Sequence, residues 1–138
     1  MLKLKKMGRE LSDHLSVHLR LLVDKDDKVG SLKLYRMCMQ KDAAFLPAPE
    51  ILLKLAGWLY GEGKIKPSLS IFNRLVTSHP DSPVSARAHL RMAQIYNDRL
   101  FEPEKALEIL NSAIESFSND EIADRMRAYR ASMQTASL

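Results

Sequence analysis

The chain has 138 residues, 46% of them hydrophobic and 28% charged, with one cysteine and a net charge of +4. That length buries a core without disulfide or metal staples, and a single Cys38 excludes an internal disulfide framework and points to a reducing compartment. No run approaches the roughly 18 consecutive apolar residues that a membrane-spanning helix needs.

Residues 1–11 read as a basic lead-in. Met1 to Lys6 has the charge of a signal-peptide start, but Gly8-Arg9-Glu10 and Asp13-His14 leave no apolar core behind it. A cytoplasmic location is expected. Were the chain a fragment of a larger protein, the same basic run would suit the cytoplasmic flank of a membrane helix.

Ser12 precedes a helical stripe of Leu15, Leu19 and Leu22, joined by Leu11, His18 and Leu21. Asp24 to Lys28 is a solvated turn. The next helix places Leu32, Tyr35, Cys38 and Met39 on one face and Lys33, Arg36 and Gln40 on the other. Pro47 and Pro49 end that hairpin, and Pro49 suits the first turn of a third helix.

The third helix carries Ile51, Leu52, Leu55, Ala56, Trp58 and Leu59 and stops at Gly61-Glu62-Gly63. A fourth, with Ser68, Phe72 and Leu75, runs to about Ser78. After the loop His79 to Pro83, Ser82 or Ser85 caps a fifth helix that reaches about Asp98. Pro103 opens a sixth, ending near Phe117. Ser118 to Glu121 reads as a capping box for a last helix whose Ile122, Met126, Tyr129 and Met133 face inward. Asp124, Arg125, Arg127 and Arg130 face outward, and residues 135–138 form a disordered tail.

The chain repeats itself. From Ala56 to Ala93 is 37 residues and from Phe72 to Leu110 is 38, and a 37-residue shift also carries Leu15 onto Leu52, Leu22 onto Leu59 and Tyr35 onto Phe72. Self-similarity at this period marks stacked helical hairpins. The expected fold is all-α, a right-handed superhelical array of about seven helices. Its repeats span about 12–48, 49–85 and 86–118, and a capping helix at 119–134 covers the apolar face of the last hairpin.

These residues resemble the tetratricopeptide repeat. The middle copy supplies Leu52, Leu55, Ala56, Leu59, Gly63, Ser68, Phe72, Leu75 and Pro80. The third supplies Met92, Ala93, Tyr96, Ala106, Leu110 and Ala113, but lacks the turn glycine and inserts one turn residue. The first copy departs most, with Leu19 where a small residue is expected. Ala56 and Ala93, with Ser68 and Ala106 opposite, would let paired helices approach closely. The loop His79 to Pro83 and the run Ala93 to Tyr96 also look like the long-loop subclass found in bacterial envelope-assembly proteins.

The resemblance implies a non-catalytic interaction module whose first helices line a concave face. On that face stand Arg20, Lys54, Arg87 and Arg91, with Tyr60, Gln94 and Asn97 nearby. Arg87 and Arg91 match the basic pair with which peptide-binding members hold a carboxylate. Ser16, Arg20 and Lys54 depart from the rest of that clamp. The implied partner is an acidic peptide or helix in a basic groove. A homodimer or a regulatory domain of a larger protein is the alternative.

Other chemistry is poorly supplied. His14 and His18 have metal-compatible spacing but no third ligand, and His18 falls in the core stripe. His79 and His89 lack clustered partners, Cys38 aligns with core Leu75 and Ala113, and Trp58 reads as core. Gly61-Glu62-Gly63 follows no strand, so it is no dinucleotide fingerprint. Neither a cofactor, a metal nor a small-molecule substrate is implied. Basic residues Lys3, Lys5, Lys6, Arg9, Lys25, Lys33, Arg36, Arg125, Arg127 and Arg130 alternate with acids and lack an aromatic platform, which disfavours nucleic acid.

Overall fold

A computed structural model describes residues 2–136, with side chains for 11–135. Seven helices follow in order: α1 (Leu2–Asp24), α2 (Lys28–Lys41), α3 (Pro49–Gly61), α4 (Ile65–Ser78), α5 (Pro83–Asp98), α6 (Pro103–Ser116) and α7 (Glu121–Ala136). They pack in adjacent pairs, α1 with α2, α3 with α4 and α5 with α6, with α7 against α5 and α6. No helix among the described residues is long and apolar enough to cross a membrane.

The turns within the three hairpins share one backbone feature. Asp26, Gly63 and Phe101 have φ of 56°, 79° and 55°, the left-handed region that favours glycine. The first two turns are also bonded alike. Asp27 N donates to Leu22 O and Lys64 N to Leu59 O, each at 3.0 Å, while Lys28 N donates to Asp26 O and Ile65 N to Gly63 O. The third turn carries the extra residue and closes instead through Glu102 N to Tyr96 O at 2.8 Å. Phe101 therefore holds a glycine position with its ring 82% exposed.

Close packing distinguishes the hairpins more sharply. Ala56 and Ser68 are fully buried, and Ser68 Oγ donates to Ala56 O at 2.8 Å across the α3–α4 contact. In α5–α6, Ala93 and Ala106 are both buried at the corresponding positions. Leu19 takes the place of the small residue in α1. Ser31, the counterpart of Ser68, is fully buried, and among the described residues its Oγ has no hydrogen-bond partner, as a bulkier residue at that contact would produce. The α1–α2 contact is correspondingly less extensive than the other two.

The core falls into two clusters. One joins α1 to α5 around Leu52, Leu55, Phe72 and Leu75; the other joins α5, α6 and α7 around Ala93, Leu110 and Met126. Arg74 of α4 ties down the loop after α2. Its Nη1 donates to Tyr35 Oη at 3.0 Å and its Nη2 to the carbonyls of Ala43 and Phe45. Cys38 is buried in the first cluster, and burial pushes its thiol above the usual range.

Several expectations need correction. The lead-in 1–11 is not separate from the first helix, because α1 begins at Leu2. Gly8 in a helix interior costs only about 1 kcal/mol, which the surrounding Leu, Lys, Met, Arg and Glu offset. The side chains of Lys3, Lys5, Lys6 and Arg9 lie outside the described residues. At the other end Thr135 is helical, its Oγ1 donating to Ala131 O at 2.9 Å; residues 137–138 lie outside the described residues.

Ser82, not Ser85, caps α5. Ser82 Oγ accepts from Val84 N, whereas Ser85 Oγ donates to His79 O. At α7, Asp120 Oδ1 accepts from Ile122 N at 3.1 Å, so the cap is Asp120 and not Ser118. Nor does His18 lie in the core: it is exposed, as are Leu11 and Leu21 at 54% and 52%. Leu21 is the counterpart of Trp58 and Ile95, which pack within the array, but among the described residues no helix covers that side of α1.

Candidate partner-binding groove

Helix α5 starts cleanly, with Ser82 as its cap and Pro83 in its first turn. Its 3.6-residue period then sorts the side chains. Ala86, Ala88, Met92, Ala93 and Ile95 are buried, Arg87 and Arg91 are exposed, and Leu90 and Gln94 are half-buried between the two sets. Arg87, Leu90, Arg91 and Gln94 form one wall of a depression of about 310 Å³, and Ile122 and Arg125 of α7 form the other. No carboxylate lines it, and among the described residues none pairs with Arg87, Arg91 or Arg125.

The polar groups here are oriented by their neighbours. Arg91 Nη1 donates to Gln94 Oε1 at 3.4 Å, a long bond that directs the Gln94 amide and leaves its NH2 as a donor. The Arg91 guanidinium carbon lies 5.8 Å from the centroid of the Tyr60 ring, and that of Arg99 lies at the same distance. Tyr60 of α3 thus sits among two cations of α5 and its end, a contact worth about 0.5–1 kcal/mol at an exposed site.

Asn97 has a different task. Its Nδ2 donates to Tyr129 Oη at 3.1 Å and to Asp98 Oδ1 at 3.0 Å, and Tyr129 Oη donates to Asp98 Oδ1 at 2.8 Å. The three side chains fasten α7 onto α5. Burial, with the bond to Asp98 and its charge, pushes the Tyr129 phenol up to about 12, against the opposing bond from Asn97. Arg130 adds a second fastening, donating to Asn111 Oδ1 of α6 at 2.7 Å.

The other predicted basic residues stand apart. Lys54 Nζ lies 3.9 Å from Asp26 Oδ1, a pair between exposed groups that contributes little. Arg20 borders a separate depression of about 290 Å³ with Val17, Leu21, Leu46 and Pro47. The structure therefore gathers Arg87, Arg91 and Gln94, brings Tyr60 against Arg91, commits Asn97 to α7, and leaves Arg20 and Lys54 elsewhere.

Arg125, Leu90 and Ile122 are groove residues that sequence reasoning missed. A signal existed for Arg125. Helix α7 has the same length as α5, 16 residues, and starts 38 residues after it, at Glu121 against Pro83. That step carries Arg87 onto Arg125, so the last helix stands where a further repeat would place its first helix.

A protein-family model for the tetratricopeptide repeat matches residues 50–82 and 87–120. The chain belongs to the tetratricopeptide repeat family. Those two segments cover the α3–α4 and α5–α6 hairpins, the two with small residues at the helix contact. Proteins of this family are typically non-catalytic and generally bind other proteins. A comparison with curated proteins finds no match. Among the described residues, no three His, Cys, Asp or Glu side chains are placed to hold a metal ion.

Proposed function

We propose that this tetratricopeptide repeat protein is a non-catalytic adaptor that grips an acidic peptide or partner helix along α5 and α7, in a cytoplasmic setting. One observation carries the reading: Arg87, Arg91 and Arg125 border a single depression in which no carboxylate among the described residues neutralises them. Leu90 and Ile122 give the same depression apolar walls for a partner's aliphatic side chains. Solvent-exposed guanidinium groups that no described carboxylate pairs with are ready to form forked, charge-assisted bonds to incoming carboxylates. Within this reading the α1–α2 hairpin is a third, degenerate repeat.

The test is binding of a blocked, acid-rich helical peptide, followed by fluorescence anisotropy. Arg87→Glu/Arg91→Glu should weaken it by at least about tenfold while costing no more than about 1 kcal/mol of stability, the worth of the lost Arg91–Tyr60 contact. Unchanged affinity in the double variant would remove the groove from consideration.

A second reading, self-association, rests on the other end of the molecule. Leu11, Val17 and Leu21 are each more than half exposed along α1, next to Leu46 at 42%. A second copy laid on that face would bury them, whereas the outer face of α7 is polar and offers nothing comparable. Light scattering of the wild type against Val17→Asp/Leu21→Asp decides it: a dimer that becomes a monomer supports the reading, and a wild-type monomer at all concentrations ends it.

A further inference from the structure

We propose that Arg125 makes the α5–α7 depression a site for a phosphate monoester dianion, carried on a side chain of the bound peptide. This rests on the peptide-groove reading above and goes one step further, to the charged group that the groove selects.

Three guanidinium groups around about 310 Å³ of open space repel one another, and no acid among the described residues relieves them. A single carboxylate carries one charge and two oxygens, enough for two forks at most. A phosphorylated side chain carries about −1.5 to −2 charges at neutral pH and three terminal oxygens, which matches three arginines. The donors come from two helices, so the anion is approached from opposite walls rather than along one helix face.

Gln94 adds a neutral donor at the same rim, held by its bond from Arg91. The fastening of α7 by Tyr129 on Asn97 and Asp98 fixes the spacing between the walls. Leu90 and Ile122 line the same space with apolar surface, which a peptide would cover and a free anion would not. The phosphate is therefore assigned to a peptide.

The experiment compares short blocked alanine–leucine peptides bearing phosphoserine, aspartate or serine at one central position, by fluorescence anisotropy. The wild type should bind the phosphoserine peptide at least about tenfold more tightly than the aspartate peptide. Arg125→Ala should abolish that advantage, weakening the phosphoserine peptide at least about tenfold more than the aspartate peptide. Arg125 is exposed and makes no hydrogen bond or ion pair within the described residues, so the variant should fold normally.

Equal binding of the two acidic peptides, or an equal loss of both in Arg125→Ala, overturns the dianion assignment while the acidic-peptide reading stands. Inorganic phosphate binding as tightly as the phosphopeptide overturns the assignment to a peptide. Failure of every acidic probe overturns both the assignment and the reading beneath it.

Discussion

The first and second hairpins turn alike and pack differently. Asp26 and Gly63 hold the same left-handed conformation, and the bonds that close the two turns correspond: Asp27 N to Leu22 O with Lys64 N to Leu59 O, and Lys28 N to Asp26 O with Ile65 N to Gly63 O. Yet Leu19 stands where Ala56 does, and the hydroxyl of Ser31 lacks the carbonyl that Ser68 finds. Turn geometry survives because an Asp tolerates what a Gly does readily. The close helix contact does not survive, because it depends on one small side chain and on a hydrogen bond that only a short separation allows.

Exchanging the two core residues should give the largest effects. Ala56→Leu would force α3 from α4 and break the Ser68 bond, costing about 2–4 kcal/mol. Leu19→Ala would leave a cavity in α1 and cost about 2–5 kcal/mol. Urea unfolding measures both, and a mild effect from either would mean that the two contacts are interchangeable.

The paired serines sharpen the contrast through its sign. Ser68→Ala should cost about 1 kcal/mol, whereas Ser31→Ala should be neutral or stabilise by up to about 1 kcal/mol, since it removes an unsatisfied buried hydroxyl. Equal losses would show that Ser31 is satisfied in solution.

The turns offer a similar pair. Phe101→Gly should stabilise by about 0.5–1 kcal/mol by relieving φ of 55°, and Gly63→Ala should destabilise by a similar amount. An added Cβ at Gly63 meets nothing within 4 Å, so backbone strain alone sets that cost.

Titration gives the smallest effects, and the later helices give two. His89 packs against Phe117 with ring centroids 6.1 Å apart, and burial lowers its pKa below the ordinary 6.5. The neutral form is the one favoured in the fold, so stability is present above 6.5 and should fall as pH drops through the lower folded value. Tyr129 is the opposite case, with its pKa raised from 10 to about 12. Its contribution is intact below 10 and should be lost as pH rises through about 12, in the wild type and not in Tyr129→Phe. Unfolding midpoints against pH read both.

Much of this was legible in the residues. The 37-residue step assigned Cys38 to the core, the glycines at 61 and 63 marked the end of α3, and the resemblance to the repeat set Ala56 opposite Ser68. What stayed hidden depended on neighbours. An apolar stripe says that a face would prefer burial, not that anything covers it, which is why His18 and Leu21 emerged exposed. Arg125 read as an outward residue of a cap, although its face of α7 meets Arg87 and Arg91 across a cleft. Asn97 read as part of the groove because its phenolic partner, Tyr129, lies 32 residues away.

The most direct test of the central claim is a map of amide chemical-shift changes on adding an acid-rich helical peptide. The account predicts that the largest changes fall on Arg87, Leu90, Arg91, Gln94, Ile122 and Arg125, and vanish in Arg87→Glu/Arg91→Glu. Changes concentrated on α2 and α4, or a map that survives the charge reversal, would contradict it.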